Sequence, residues 1–249
     1  MTRLGRWVLA LAPLLLALAW AGPAAAQSLS VDLGGDSGST TGRLVEIVAI
    51  MTVLSVVPGL LVTVTSFTRI VVVLSFLRTA LGVQQTPPNT VMISLAVFLT
   101  TFIMAPTLQK AYDEGVQPLI AEKISQEEAV AKTVAPFHDF MMAHVREQDL
   151  ALFMGLGKIA AVATPQDTPF RALLPAFLIS ELRRAFEIGF LLFLPFLIID
   201  IVVASLVMSM GMVSLPPSII SLPFKLIFFV LIDGWYLVSG ALIQSFGPQ

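Results

Sequence analysis

The chain of 249 residues is 57% hydrophobic and 12% charged, with a formal net charge of −2. Soluble domains carry about a quarter charged residues, so this composition indicates a membrane protein, and the charge balance does not favour nucleic-acid binding. There is no cysteine, and both histidines, His138 and His144, lie outside the apolar runs. These counts exclude disulfides and thiolate sites, and we expect neither a metal nor a cofactor.

The N-terminus has the pattern of a cleavable signal peptide. Arg3 and Arg6 precede a short apolar core over 7–20, and a run of alanines ends at Ala26. The core is shorter than the roughly 20 residues that a membrane span needs. We therefore predict cleavage of residues 1–26 after Ala26, with a retained first helix as the alternative. Residues 27–43 are predicted to form a flexible leader.

Four hydrophobic segments follow, at 44–64, 90–105, about 185–213 and 219–243. The polar segment 107–170 has apolar residues at helical spacing, which predicts a small helical extramembrane subdomain, on the periplasmic side. The chain is therefore predicted to be an all-α membrane protein. Two long kinked helical hairpins, 44–106 and 171–249, are expected on either side of the subdomain.

A simple topology of four passes with both termini outside fits the charges only in part. It places Arg69 on the cytoplasmic side, as the positive-inside rule requires, but Arg184 on the outer side. The helical pattern also continues over 44–81, about 57 Å, nearly twice a hydrocarbon core. Long helices that bend at Pro58-Gly59 and at Pro195 fit this length better than straight spans.

Two short motifs echo each other, GVQQTPPN at 82–89 and GMVSLPPS at 211–218. Glycine suits the end of a helix and proline the start of the next, so each motif predicts a turn between two helices. The residues predicted to form the two hairpin tips are Gly82, Pro87 and Pro88 in the first, and Gly211, Pro216 and Pro217 in the second.

Asp200 and Lys225 are isolated charges in apolar segments, and such charges usually pair or face a cavity. Asp200 lies 16 residues before Pro216 and Lys225 lies 8 after Pro217. The two distances from the turn differ by about 8 residues, which is about 12 Å along a helix axis. This difference leaves two alternatives for the pair. The pair forms within one hairpin with a long unwound loop, or between neighbouring subunits. Functionally, the two charges serve either in assembly or in the ion relay of a secondary transporter.

Four further charges precede the third apolar segment: Glu181, Arg183, Arg184 and Glu187. Their spacing predicts that Glu181 pairs with Arg184 and that Arg183 pairs with Glu187 on one helix. The group is either a solvated helix entrance or a contact between subunits. Asp233 is a further candidate for a buried charge.

Three methionines, Met208, Met210 and Met212, surround Gly211. Their flexible side chains either pack at the tip or form a deformable seal where several copies meet. The chain has none of the nucleophile-elbow, zinc-protease or phosphate-loop motifs, so we expect no enzymatic activity.

Three long stretches resemble the FliP family of flagellar type III secretion. They are SFTRIVVVLSFLRTALGVQQTPPN at 66–89, FLISELRRAFEIGFLLFLPFLIIDIVVASLVMSMG at 177–211 and LPFKLIFFVLIDGWYLVSGAL at 222–242. The resemblance implies a subunit of the export gate, in the bacterial inner membrane and the flagellar basal body. It further implies a closed helical channel of several copies with FliQ and FliR, partly on the periplasmic side and beside FlhA and FlhB. Unfolded rod, hook and filament subunits would pass through it.

The resemblance also implies a pore gasket, formed in the family by a methionine-rich run after the hairpin glycine. Here only Met212 falls on that run, and Met208 and Met210 lie one turn earlier. The gasket is therefore expected to be mixed, with Val213 and Leu215 as further apolar plugs. Asp200 and Lys225 match charged positions of the family, which implies a role in subunit assembly.

Overall fold

A computed structural model describes residues 47–48, 51–52, 55, 59, 62–83, 85–160, 162–211 and 216–247. The chain divides into two compact units, Met1–Ala49 and Ile50–Gln249, and of the first only residues 47–48 are described. The predicted signal peptide with its cleavage site at Ala26, the leader and the bend at Pro58 lie outside the described residues.

The described residues form helices, turns and irregular segments, with no strand among them. The α-helices are α1 Phe67–Leu81, α2 Asn89–Ala111, α3 Gln117–Ile120, α4 Gln126–His144, α5 Glu147–Leu156, α6 Phe170–Ser209, α7 Pro217–Leu231 and α8 Gly234–Gln244. A π-helix, Tyr112–Val116, joins α2 to α3, and a 3-10 turn, Pro165–Asp167, precedes α6. The predicted helical class is confirmed for these residues.

The helical pattern expected to continue over 44–81, with a bend at Pro58-Gly59, is interrupted among the described residues at 64–66, and α1 begins only at Phe67. Hydroxyl groups compete for the backbone at this point. Thr68 Oγ1 donates to the carbonyl of Val62 at 3.3 Å, and Thr65 Oγ1 accepts from the N–H of Phe67 at 3.4 Å. Such local bonds offer the backbone an alternative to the helical ladder, so the helix breaks here.

The first tip lies between α1 and α2, which pack against each other. Gly82 ends α1 with φ 77°, and its N–H donates to the carbonyl of Thr79 at 3.0 Å. This left-handed conformation suits glycine because it lacks Cβ. Pro88 takes the N-cap position of α2. Helix α2 continues past Pro106 and ends at Ala111.

The second tip lies between α6 and α7. Gly211 follows α6 with φ 73°, Pro216 is the N-cap of α7, and Pro217 is its first residue. Met212, Val213 and Leu215, between them, lie outside the described residues.

Helices α7 and α8 meet at a bend of 64°. Asp233 sits in the bend with φ 52° and is exposed, so its predicted burial is wrong. Gly234 lies so close to Phe229 that an added Cβ would be 2.1 Å from the phenylalanine Cε2. Only a residue without a side chain permits this close approach.

Helices α1 and α6 form the most extensive helix contact of the described residues. Phe76 of α1 packs over Gly189 of α6, where an added Cβ would be 2.6 Å from the phenylalanine Cδ2. The buried core around this contact contains Ile70, Val73, Leu74, Leu77, Ala185, Phe196, Phe229 and Leu242. The small residue thus allows α1 and α6 to approach closely along an apolar seam.

Two helical stretches are long and apolar enough to cross a membrane, Asn89–Ile120 and Phe170–Ser209. Helices α7 and α8 add a third if the bent pair counts as one span. Length and composition thus support a membrane protein. The first predicted segment, 44–64, lies mostly outside the described residues.

Candidate functional site

A buried ion pair connects the two hairpins through α1 and α6. Arg69 and Glu181 are both fully buried, and Arg69 Nε donates to Glu181 Oε2 at 2.9 Å. Arg69 Nη2 donates to Oε1 of the same carboxylate, so the contact is bidentate. The guanidinium fork matches the geometry of a carboxylate, and either charge left alone would be costly to bury. The pair therefore sets the register between α1 and α6.

Arg69 also holds the segment that follows α8. Its Nη1 donates to the carbonyl of Ser245 at 2.9 Å and to the Ser245 hydroxyl at 3.0 Å. Its guanidinium carbon lies 3.6 Å from the ring centroid of Phe246, within the range of a cation–π contact. One buried side chain thus links α1, α6 and the end of α8.

This ion pair corrects the four-pass topology. That topology places Arg69 on the cytoplasmic side and the charges around Arg184 on the outer side, but Arg69 contacts Glu181, three residues before Arg184. Arg69 faces Glu181 and Phe76 faces Gly189, so α1 and α6 run parallel from the same level. The physical reason is the break at residues 64–66, which makes Arg69 part of a new helix.

A second charged cluster lies near the first tip. Lys225 of α7 is buried and forms an ion pair with Asp200 of α6, with Nζ 2.5 Å from Oδ2. The Ser221 hydroxyl donates to the other carboxylate oxygen of Asp200 at 2.6 Å. Lys225 Nζ also donates to the carbonyl of Ala80 at 3.0 Å. Because Ala80 belongs to the last turn of α1, Lys225 caps that helix end with a positive charge.

Asp200 and Lys225 therefore pair within one chain, which decides between the two alternatives. The expected mismatch of 12 Å does not arise, because α6 ends at Ser209, well before Pro216. Asp200 lies 9 residues from Ser209, and Lys225 lies 8 residues from the start of α7 at Pro217. The two charges consequently lie at the same distance from the second tip along α6 and α7.

The charges over 181–187 separate into two environments. Arg183 Nε lies 2.9 Å from Glu187 Oε1 in an exposed pair with the expected spacing of four residues. The expected pair of Glu181 with Arg184 is wrong, since the carboxylate of Glu181 is occupied by Arg69. Residue spacing cannot predict this outcome, because Arg69 lies 112 residues away in the sequence.

The described methionines near the second tip are exposed, Met208 at 63% and Met210 at 70%. Met210 lines an apolar groove of about 470 Å³ between α6 and α7, together with residues such as Val202, Leu206 and Phe224. Flexible methionine side chains adapt to irregular surfaces. Both side chains are therefore accessible at the surface of the single chain.

Both histidines, which lie in α4, are hydrogen-bonded to backbone carbonyls. His138 is buried, with Nε2 2.8 Å from the carbonyl of Thr168. His144 Nδ1 donates to the carbonyl of Phe140 at 2.8 Å, and its ring lies 5.3 Å from that of Phe246. Burial, with a smaller contribution from Arg69, lowers the pKa of His144 below its ordinary value. Within the described residues, no group of acidic side chains and histidines could hold a metal ion.

The sequence interpretation overlooked Arg69 and Ser245 as members of a site. A signal for Arg69 was present, since one arginine precedes the apolar run of α1. A cation at the edge of such an apolar run calls for a partner when it is buried.

Comparisons with known proteins identify the family of this chain. The model of the FliP family matches residues 50–242. The flagellar biosynthetic protein FliP of Caulobacter vibrioides is 56% identical over 227 residues, 90% of this chain and 85% of that protein. Its counterpart in Bacillus subtilis is 54% identical over 202 residues, 81% of this chain and 91% of that protein. The FliP of Rhizobium meliloti is 46% identical over 233 residues, covering 92% and 95% of the two chains. The chain belongs to the FliP family.

Proposed function

We propose that this chain is a core channel subunit of the flagellar type III protein export gate, needed for flagellum assembly. With FliQ and FliR, several copies form a closed helical pore for unfolded rod, hook and filament subunits. The chain's large unpartnered apolar surface, in a member of the FliP family, carries this proposal.

That surface covers the outer faces of α6 and α7. Its exposed residues include Phe190, Leu191, Ile198, Ile201, Leu206, Phe224, Ile227, Val230 and Leu231. Contiguous exposed apolar patches of this kind mark contacts with a membrane or with other chains. Both contacts are expected for a subunit packed among neighbours at the inner membrane.

The two charged clusters support assembly by making the hairpins one body. The Arg69–Glu181 pair joins α1 to α6, and the Asp200–Lys225 pair joins α6 to α7 and to the end of α1. A subunit whose hairpins keep a fixed angle presents the same surfaces to every neighbour.

FlhA and FlhB are the proposed partners beside the gate, in the basal body and partly on the periplasmic side.

The pore gasket is proposed to lie at the second tip. Met208 and Met210 are exposed beside Gly211, and Met212, Val213 and Leu215 follow directly in the sequence. Copies meeting around an axis would bring these soft apolar side chains together and exclude water from the closed pore.

The transporter alternative gains no support from the geometry of Asp200 and Lys225. Each charge is satisfied by the other, and Ser221 and the Ala80 carbonyl complete the hydrogen bonds. A relay needs a group that exchanges its proton or ion, whereas this arrangement is that of a structural ion pair.

Co-purification from detergent tests the proposed function. The chain, co-produced with FliQ and FliR, is expected to elute as one large complex by size-exclusion chromatography with light scattering. Val230→Asp, on the apolar face of α7, should release the chain from that complex. Leu156→Asp, at an exposed site of the extramembrane segment, should leave the complex intact. A wild-type chain that remains monomeric and transports a solute would contradict the gate.

A further inference from the structure

A polar cavity of about 420 Å³ lies beside the Arg69 ion pair. It is bounded by α1, α6, the residues after α8 and Arg146, which stands between α4 and α5. Three arginines contribute to its wall, which consists of Arg69, Arg146, Arg184, Glu187, Ile188 and Ser245. Such a concentration of guanidinium groups in one cavity favours an oxyanion ligand.

The arginines of this wall differ in how far their charges are balanced. Arg69 is neutralised by Glu181. Arg146 has Nη1 3.8 Å from Asp149 Oδ2, and this nitrogen is buried without a hydrogen bond among the described residues. Its Nη2 donates to the neutral side chain of Gln148. The charge of Arg146 is thus only loosely compensated.

Arg184 makes no ion pair or hydrogen bond within the part of the chain that the structure describes. The one acidic side chain of the wall, Glu187, is paired with Arg183 at 2.9 Å, so it is not free to balance Arg184. The cavity therefore carries an excess of positive charge. An arginine without a counterion is stabilised most by a ligand that carries a negative charge, because the hydrogen bond between them is then charge-assisted.

The cavity lies where α6 changes from charged to apolar. Glu187 is the last charged residue before the apolar run 188–199. Helix α6 has 40 residues, so its length of about 60 Å is twice the thickness of a hydrocarbon core. If the apolar run enters the bilayer, Arg184 and the cavity stand at the level of the lipid headgroups.

An apolar track leaves the cavity along the same face of α6. Arg184, Ile188 and Leu191 have the spacing of one helix face, and Leu191 is exposed. The neighbouring Phe190 is exposed as well. A phosphate held at Arg184 would therefore have its acyl chains directed onto an apolar helix surface.

We propose that this cavity binds the phosphate of an anionic phospholipid headgroup, with Arg146 and Arg184 as the phosphate ligands and the α6 track as the acyl-chain surface. Basic pockets between membrane helices suit such headgroups. The inference concerns the single chain and does not depend on the pore.

Native mass spectrometry of the full chain in mild detergent tests the site, with phosphatidylglycerol and phosphatidylcholine as probes. The wild type is expected to retain phosphatidylglycerol in preference to phosphatidylcholine. Arg184→Gln and Arg146→Gln are each expected to weaken retention about tenfold, as the loss of a charge-assisted hydrogen bond implies. Arg171→Gln, an exposed arginine of the same helix, is the matched control and should bind as the wild type does. Arg69 is not substituted, because its loss would leave the buried carboxylate of Glu181 without a counterion.

Competition with inorganic phosphate separates a lipid site from a simple anion site. Retention of the lipid at high phosphate supports the proposal, and its complete displacement overturns it. Equal lipid retention in wild type and in both glutamine variants, at unchanged thermal stability, also overturns it. If the isolated chain binds no lipid, and Arg146 and Arg184 are shielded from solvent only in the complex, a carboxylate of a partner chain occupies the cavity. The lipid proposal is then wrong.

Discussion

Lys225 of α7 donates a hydrogen bond of 3.0 Å to the backbone carbonyl of Ala80, 145 residues earlier in the chain. The contact fixes the end of α1, just before the first tip, to the second hairpin. Asp200 balances the charge that does so. Any movement of α7 must therefore either carry the first tip with it or break this bond.

Lys225→Met should destabilise the chain by about 2–3 kcal/mol, because the carbonyl of Ala80 loses its donor and Asp200 loses its counterion. The double variant Lys225→Met with Asp200→Asn should recover part of this loss, since it leaves no unpaired charge. Thermal unfolding in detergent measures both. A single variant as stable as the wild type would show that the cap does not matter.

Glu181→Gln should cost about 3–5 kcal/mol, since it leaves the fully buried Arg69 without a counterion. The matched control, Arg183→Gln, breaks only an exposed pair and should change stability by less than about 1 kcal/mol. Replacing both Arg69 and Glu181 with leucine should be milder than Glu181→Gln. Equal losses in Glu181→Gln and Arg183→Gln would refute the special role of the buried pair.

Gly189→Ala should destabilise the chain by about 1–3 kcal/mol through overpacking against Phe76. Gly155→Ala is the control, since an added Cβ in α5 meets nothing within 4 Å. Alanine favours a helix over glycine, so this control should be neutral or slightly stabilising. Differential scanning fluorimetry compares the two, and a neutral Gly189→Ala would mean that α1 and α6 separate easily.

Stability should fall as the pH drops below about 6.5, the usual pKa of histidine. Burial lowers the pKa of His144 in the folded chain, so the unfolded chain binds its proton first as the pH falls. The contribution of His144 to stability thus declines through this window and levels off below the folded-state pKa. The free energy of unfolding, measured at pH values between about 5 and about 8, should depend less on pH in His144→Gln than in the wild type. Identical slopes in both proteins would contradict this assignment.

Replacing Met208, Met210 and Met212 with alanine should let small ions leak through the assembled complex, if the proposed gasket is correct. Truncation removes the flexible apolar groups that close the pore. Liposome flux assays measure the leak, and size-exclusion chromatography checks that the complex persists. An impermeable variant complex would locate the seal elsewhere.

Local chemistry explains why the helix ends at the tips were predictable. Gly82 and Gly211 adopt positive φ, and Pro88 and Pro217 stand where the next helices begin. These preferences belong to single residues and their neighbours, so they can be read without knowledge of the fold. The two apolar helices long enough to span a membrane follow equally from composition.

The partners of the buried charges could not be predicted in the same way. The sequence pointed to Asp200 and Lys225 as candidates but placed them at different heights, because it did not show that α6 ends at Ser209. Glu181 had a plausible local partner in Arg184, yet it binds Arg69.

Periodicity, composition and residue chemistry in the sequence thus determined the helical class, the membrane character and the helix ends at the two tips. Which charges meet was decided only by the tertiary structure. A buried charge must find its counterion wherever packing brings one within reach, and the close approach of α1 to α6 at Gly189 brought Arg69 to Glu181.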